Sequence, residues 1–352
     1  MRTIILWLGL GVLLVLNACR DQEPTPKGQF NQGVFTINEG LFGNTSGTIT
    51  HFDRAEETTK RIFWQKNQRD LGDVVQSLVF QGNQGYVVVN NSNKIEVVDA
   101  NTFVEQAQIT NLRLPRYCLP ISTTEAYVSE WGADGLTGSL ARIDLTTNTL
   151  IERFMVGVGP ERLLLKDGFL YVTHVGGFGT NNQVTVFDVQ QRQVTTTITV
   201  ADKPSGLVED EQGQLWVACA GEVNYLTYPN IDTANSTASK LIAINPTTNT
   251  IAQEINFGKG NPIGNLTVNR TPSDRLFYTK AGQVWSFDVV TGQEQTLFSG
   301  NFYGLGYDPS TGYLYAATSS GVNPALIQRY RLDGTLVDDY TAGVFANGFV
   351  FR

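Results

Sequence analysis

One Gly-rich stretch carries more chemistry than a strand connection needs. The run LYVTHVGGFGTNNQVTVFD, Leu170 to Asp188, ends a strand-like segment on His174 and then holds Phe178 in the loop VGGFGTNN. A two-residue turn would join the flanking segments at lower entropic cost. An imidazole at such a strand end can ligate a metal through a neutral ring nitrogen, or simply hydrogen-bond a neighbouring loop. Companion loops are also long: NEGLFGNTSG holds Phe42, EWGADGLTG holds Trp131, and the stretch after CAGEV holds Tyr225 and Tyr228. Tyr117 and Tyr303 stand where apolar segments begin. Polar partners accompany them: Asn38, Glu39, Asn90 and Arg116 in the first half of the chain, then Glu161, Arg162, Asn265 and Asn347. Aromatic rings supply contact area while Arg and Asn supply directed hydrogen bonds, a combination that suits a flat, polar-rimmed organic ligand or a glycan.

Other chemistries find less support. The chain has only two histidines, and no GxSxG elbow accompanies them, so nucleophilic catalysis has little to build on. Neither a Walker loop nor a strand-linked GxGxxG follows the N-terminal segment, and no cofactor is expected. The enzymatic alternative is a calcium-dependent, lactonase-like site, in which Glu39, Glu161, Asn265 and Asn347 would converge on one hard cation. Cys118 and Cys219 lie in apolar segments far apart in the chain and read as buried free thiols; without a CxxC pair a thiolate metal site has no basis. His51, next to a recurring Asp motif, reads as a solvated strand residue. With 25 Lys and Arg against 33 Asp and Glu, the net charge is −8, and no basic cluster offers itself to a phosphate backbone, so nucleic acid is not an expected partner.

What must position these residues is a repeat. An apolar run ending in Asp or Asn recurs at Asp53, Asp99, Asp144, Asp188, Asn245, Asp288 and Asp333, with spacings of 46, 45, 44, 57, 43 and 45. Each unit holds an earlier strand such as GYVVVN or LYVTHV, a turn such as LTTNT, a later strand, and a leading segment often opened by Pro. Four strands in about 45 residues is the signature of a propeller blade. The single long interval contains an insertion around NYLTYPNIDTANSTAS. The first unit lacks an innermost strand and the last has one to spare, FANGFVF, so the sequence predicts an all-β, seven-bladed β-propeller whose first blade is completed by the C-terminal strand. In a propeller the leading strand starts, and the next strand ends, on one face, which gathers the long loops and the polar strand starts.

The N-terminus has a separate logic. Arg2, an apolar run and LNAC ending at Cys19 form a secretory signal with a lipobox. Residues 1–18 are expected to be a lipoprotein signal peptide, 19–32 a lipidated Cys and flexible tether, and 33–352 the propeller. The blade motif LYVT, VTVFD, TTITV and KPSGL resembles the YVTN-type surface propellers. With NEGLFGNTSGTITHFD, RDLGDVVQSL, LPRY and the lipobox, the chain is similar to surface lipoproteins of gut-type Gram-negative bacteria, a group that includes the vitamin B12-binding propeller of outer-membrane cobalamin uptake. The resemblance implies a non-enzymatic binder at the outer membrane, lipid-anchored at the cell surface or facing the periplasm, that serves a TonB-dependent transporter. A corrinoid is the ligand it implies, and the strand-end position of His174 would let its imidazole coordinate the cobalt. A scaffold propeller without a small-molecule ligand is the remaining alternative.

Overall fold

Runs rich in Val, Ile, Thr and Tyr become strands because branched and aromatic side chains pack well on a pleated surface. In the computed structural model, which describes residues 29–352 apart from 56, 272, 273, 319 and 320, they build seven four-stranded antiparallel sheets. The innermost strands neighbour one another in a closed ring, and the architecture is a seven-bladed β-propeller. The expected signal peptide, the lipidation site Cys19 and residues 20–28 of the expected tether lie outside the described residues. Among the described residues no helix is long and apolar enough to cross a membrane.

Position within the blade explains the patterning. Second strands such as Leu215–Cys219 are buried along their whole length because a neighbouring blade covers each face, whereas the outer strand Thr250–Lys259 is largely exposed. Side chains from successive blades interdigitate, as where Tyr171, Val184 and Val186 of the fourth blade meet Leu215 and Val217 of the fifth. The recurring Asp is a turn residue. Asp144 accepts the backbone N–H of Thr146 at 2.7 Å and of Thr147 at 3.2 Å, and these bonds hold its carboxyl below the usual carboxylate range.

The ring closes as the repeat arithmetic required. Ala346–Phe351 pairs antiparallel with Val34–Asn38, with Val34 opposite Phe351 and Thr36 opposite Phe349. Gly33 and Arg352 exchange backbone hydrogen bonds at 2.9 and 3.0 Å. Arg54 fastens the seam further, donating to the Arg352 carbonyl at 2.9 Å and to Asp308 of the seventh blade at 2.9 and 3.1 Å. Such closure turns the inner strand edges toward the channel, where neighbouring blades protect them.

Three local features depart from the sequence reading. The first blade's outer strand is only Thr58–Thr59, followed by a short helix, Ile62–Asn67, that buries Ile62 and Phe63. Phe30, in the stretch expected to be tether, is fully buried and its N–H bonds to the Asn101 carbonyl at 2.9 Å. His51 is not solvated: it packs against Phe30 and Phe35 with ring centroids 5.0 and 4.9 Å away, and its Nε2 meets the Gln32 carbonyl at 2.8 Å. Burial lowers its pKa. Cys118 and Cys219 are buried free thiols, as expected.

Candidate functional site

Every innermost strand carries a β-bulge near its start. Ladder pairing skips Gln76 in the second blade, Arg116 and Tyr117 in the third, and Glu161 and Arg162 in the fourth. It likewise skips Ser205 in the fifth, Asn265 and Leu266 in the sixth, Tyr303 in the seventh, and Asn347 in the closed first blade. A bulge frees a residue from the ladder and re-aims its side chain. Repeated seven times around an axis, it presents a ring of polar and aromatic side chains at one mouth of the central channel. Seven of the residues singled out from sequence belong to this ring.

The residues just before the inner strands are bent as well. Val74, Leu114, Lys203 and Phe345 have φ of 57°, 48°, 54° and 51°, and Gly159 takes the same turn at 64°. For non-glycine residues this left-handed conformation costs on the order of 1–3 kcal/mol each. Each carbonyl is then aimed at the residue following the second strand, accepting the N–H of Asn90, Trp131, Ala220, Glu39 and Val175 respectively, at 2.8–3.1 Å. The strain thus ties the long loops to the strand starts and pre-orders the face.

Two adjoining hollows result. The first is an open cleft of about 360 Å³ bordered by Glu39, Phe42, Asn90, Arg116, Trp131, Phe178 and Tyr303, with Gln76 in its floor. Arg116 forks onto Glu161 at 2.8 and 2.9 Å and donates to the Gln76 side-chain oxygen at 2.5 Å. Trp131 Nε1 donates to the same Glu161 at 3.1 Å, and the Arg116 guanidinium lies 4.2 Å from the Trp131 ring. Burial pushes the Arg116 pKa down, but the Glu161 charge and hydrogen bonds outweigh it and leave the guanidinium firmly protonated. Across the cleft Tyr303 donates to Glu39 at 2.8 Å, and Asn347 donates to the other Glu39 oxygen at 2.8 Å. Asn90 braces the rim through the Pro115 carbonyl at 3.0 Å. The second hollow, about 280 Å³, is the channel itself, where Tyr117, Arg162, Asn265 and Asn347 meet; Gln76 lines both.

The Gly-rich loops explain themselves here. A Cβ on Gly135 would strike the Phe178 ring, one on Gly177 the Gly135 carbonyl, and one on Gly159 the Gly177 nitrogen. The two loops therefore interlock backbone to backbone, with Phe178 N–H donating to the Gly135 carbonyl at 3.2 Å. This close approach stands Phe178 edge-on to Trp131, centroids 6.0 Å apart at 82°. Phe178 remains 71% exposed and Phe42 81%, so both rings turn most of their area to solvent.

Residues 32–351 match the family described as a domain of unknown function, DUF5074. The chain belongs to it. No curated protein matches the sequence. Among solved structures, a quinonprotein alcohol dehydrogenase-like protein from Bacteroides thetaiotaomicron is similar with a TM-score of 0.63 and 12% identity, over 92% of this chain and 78% of its own. A candidate 6-phosphogluconolactonase from Bacteroides fragilis gives 0.61 and 12%, over 94% and 100%. BamB from Moraxella catarrhalis gives 0.52 and 16%, over 81% and 82%. At these identities the likeness is one of propeller fold alone.

In this DUF5074 propeller four sequence-selected residues stand apart from the hollows. His174 is fully buried: its Nε2 meets Thr185 Oγ1 at 2.9 Å, and Gly157 packs so closely on the ring that a Cβ there would come within 2.8 Å. Burial pushes its pKa down to about 4. The strand end does reach the face, but its last side chain turns between blades, so burial keeps both ring nitrogens of His174 away from a ligand. Asn38 is buried too, donating to Thr36, Thr48 and Thr50 at 3.2–3.3 Å and accepting the Gly343 N–H at 2.9 Å. Tyr225 and Tyr228 lie on the protruding ribbon Tyr225–Thr227 and Asn230–Ile231, where they pack on each other 5.4 Å apart.

The four residues of the calcium alternative are engaged within the protein. Glu161 commits both oxygens to Arg116 and Trp131, Glu39 commits its pair to Tyr303 and Asn347, and Asn265 bonds Thr279 at 3.3 Å. Among the described residues no group of three or more His, Cys, Asp or Glu is placed to hold a metal ion. Sequence reasoning missed Gln76, the joint between cleft and channel. Its signal was available: it is the second residue of its inner strand, the position that Arg116, Glu161 and Asn347 occupy in theirs.

Proposed function

We propose that this chain is a non-enzymatic binding protein that captures a small organic molecule in the cleft beside Trp131 and passes it to a TonB-dependent outer-membrane transporter. A lipid on Cys19 would hold it at the outer membrane, at the cell surface. The observation that carries this reading is the pairing of exposed rings, Phe42 and Phe178, with a polar floor already fixed by Arg116, Glu161 and Gln76. Apolar area supplies affinity, and a floor ordered before binding loses little entropy on complex formation. A size near 360 Å³ suits a small ligand or one edge of a larger one.

A corrinoid is the first ligand to test, on the strength of the sequence resemblance. It is larger than the cleft, so it would lie across the mouth with its flat face against Phe42 and Phe178 and its amide rim toward Arg116 and Asn347. With His174 buried, no protein imidazole on this face is offered to cobalt. A protein partner is supported by the ribbon, where Leu226 is 73% and Tyr228 80% exposed. To test the reading, purified protein is mixed with cyanocobalamin, desalted and examined for visible absorbance. Retained colour that Trp131→Ala abolishes supports corrinoid capture at this cleft. A colourless protein fraction removes the corrinoid and sends the search to glycans.

A further inference from the structure

The channel beneath the cleft holds a single formal charge. Of its seventeen lining residues none is acidic, although the chain contains 33 Asp and Glu, and only Arg162 is ionised. Its guanidinium has no ion pair or hydrogen bond among the described residues. It lies 4.1 Å from the Tyr117 ring, and Tyr117 is itself braced by Gln76 at 3.4 Å. Arg116 next door shows the contrast: it is matched by a forked carboxylate at 2.8 and 2.9 Å.

A stacked guanidinium keeps its plane fixed by the ring and its edge N–H groups free, the arrangement that recognises a carboxylate or phosphate with two parallel hydrogen bonds. Arg162 is exposed, so its charge stays solvated until a ligand covers it, and its recognition of an anion rests on the free fork rather than on burial. Asn265, Asn347 and Ser77 place neutral polar groups around it, and the Glu39 carboxylate at the cleft border has both oxygens taken up by Tyr303 and Asn347. Gln76 lines both hollows, so the channel adjoins the aromatic rim.

We propose that Arg162 is an anion-recognition residue in the channel mouth, and that the ligand of this face is a small organic anion whose carboxylate or phosphate descends to Arg162 while its apolar body stays on Trp131 and Phe178. The proposal rests on the cleft being the binding site.

The experiment titrates the purified full-length protein with benzoate and phenyl phosphate, and with the neutral isosteres benzamide and phenol, by calorimetry. Saturable binding of one anion, at least about tenfold tighter than its neutral isostere, is expected. Whichever anion binds tighter assigns carboxylate or phosphate. Arg162→Gln should erase that tenfold preference and Arg162→Lys should keep part of it. Neither should lower the melting temperature by more than about 2 °C, because the guanidinium makes no hydrogen bond among the described residues and its contact with the Tyr117 ring is worth only about 1 kcal/mol. Equal binding of anion and neutral isostere, no saturation with either anion, or an unaltered preference in Arg162→Gln overturns the proposal. Trp131→Ala separates the two readings. If it weakens charged and neutral ligands alike while Arg162→Gln changes nothing, the cleft stands and the anion site falls. If Arg162→Gln abolishes anion binding while Trp131→Ala changes nothing, the anion binds in the channel alone, and the cleft reading falls together with the proposal that rests on it.

Discussion

Replacing Glu161 by Ala leaves Arg116 with its charge and without its partner. Three donors lose their acceptor at once: Arg116 Nε and Nη2, at 2.9 and 2.8 Å, and Trp131 Nε1 at 3.1 Å. The two side chains are only 15% and 8% exposed, so water can replace little of what is removed. Removing one partner of a buried ion pair costs about 3–5 kcal/mol, and the remaining access at Arg116 places this variant near 3 kcal/mol. Arg61 and Asp70 provide the control: they pair at the same 2.9 Å but are 51% and 44% exposed, so Asp70→Asn should cost no more than about 1 kcal/mol. The assay is urea denaturation of the single variants and of Arg116→Met with Glu161→Ala together, reading midpoint and slope. The double variant should be less destabilised than the summed singles by about 2 kcal/mol, since it removes the stranded charge. A loss below 1 kcal/mol for Glu161→Ala, or additive effects in the cycle, would refute the argument that the floor is a fixed, desolvated pair.

Other consequences follow from the same geometry. His174 is neutral when buried, with a pKa near 4, and returns to about 6.5 on unfolding, so the unfolded chain binds the extra proton between those values. Its contribution is full above about pH 6.5 and falls by about 3 kcal/mol as pH drops toward 4. Urea midpoints between pH 7 and 4.5 should therefore fall more steeply for the parent than for His174→Gln, and parallel curves would count against the reading. Gly135→Ala, at φ +68° and in the path of the Phe178 ring, should cost about 1 kcal/mol and push Phe178 away from Trp131; an unchanged crystal position for Phe178 would contradict the interlock. Deleting residues 346–352 strips the inner strand from the first blade and should give an aggregating chain without a cooperative melt, whereas a soluble two-state product would show that closure is dispensable.

The sequence spacing made the seven blades, their closure and the loop-bearing face legible, because blade length and turn chemistry repeat almost without drift. It also located Arg116, Glu161, Tyr303 and Asn347, which stand at strand starts. Facing was harder to read. A strand's side chains alternate, and a bulge shifts that alternation, so the same strand end can turn a residue into the channel or between blades. His174 and Asn38 turned inward for this reason, while Gln76, hidden in the apolar run VVQSL, turned out. His51 became a core residue because Phe30 folds back over it, a contact between segments that no local pattern announces.

Whether the cleft is the ligand site is tested most directly by comparing parent and Trp131→Ala with Phe178→Ala in a calorimetric melting screen against cyanocobalamin, small aromatic anions and oligosaccharides. A ligand that raises the parent's melting temperature should lose that effect in the double variant, whose ligand-free melting stays within a few degrees of the parent, because Phe178 is exposed and Trp131 half-buried. An equal ligand-induced shift in both proteins would place the binding site elsewhere on the propeller.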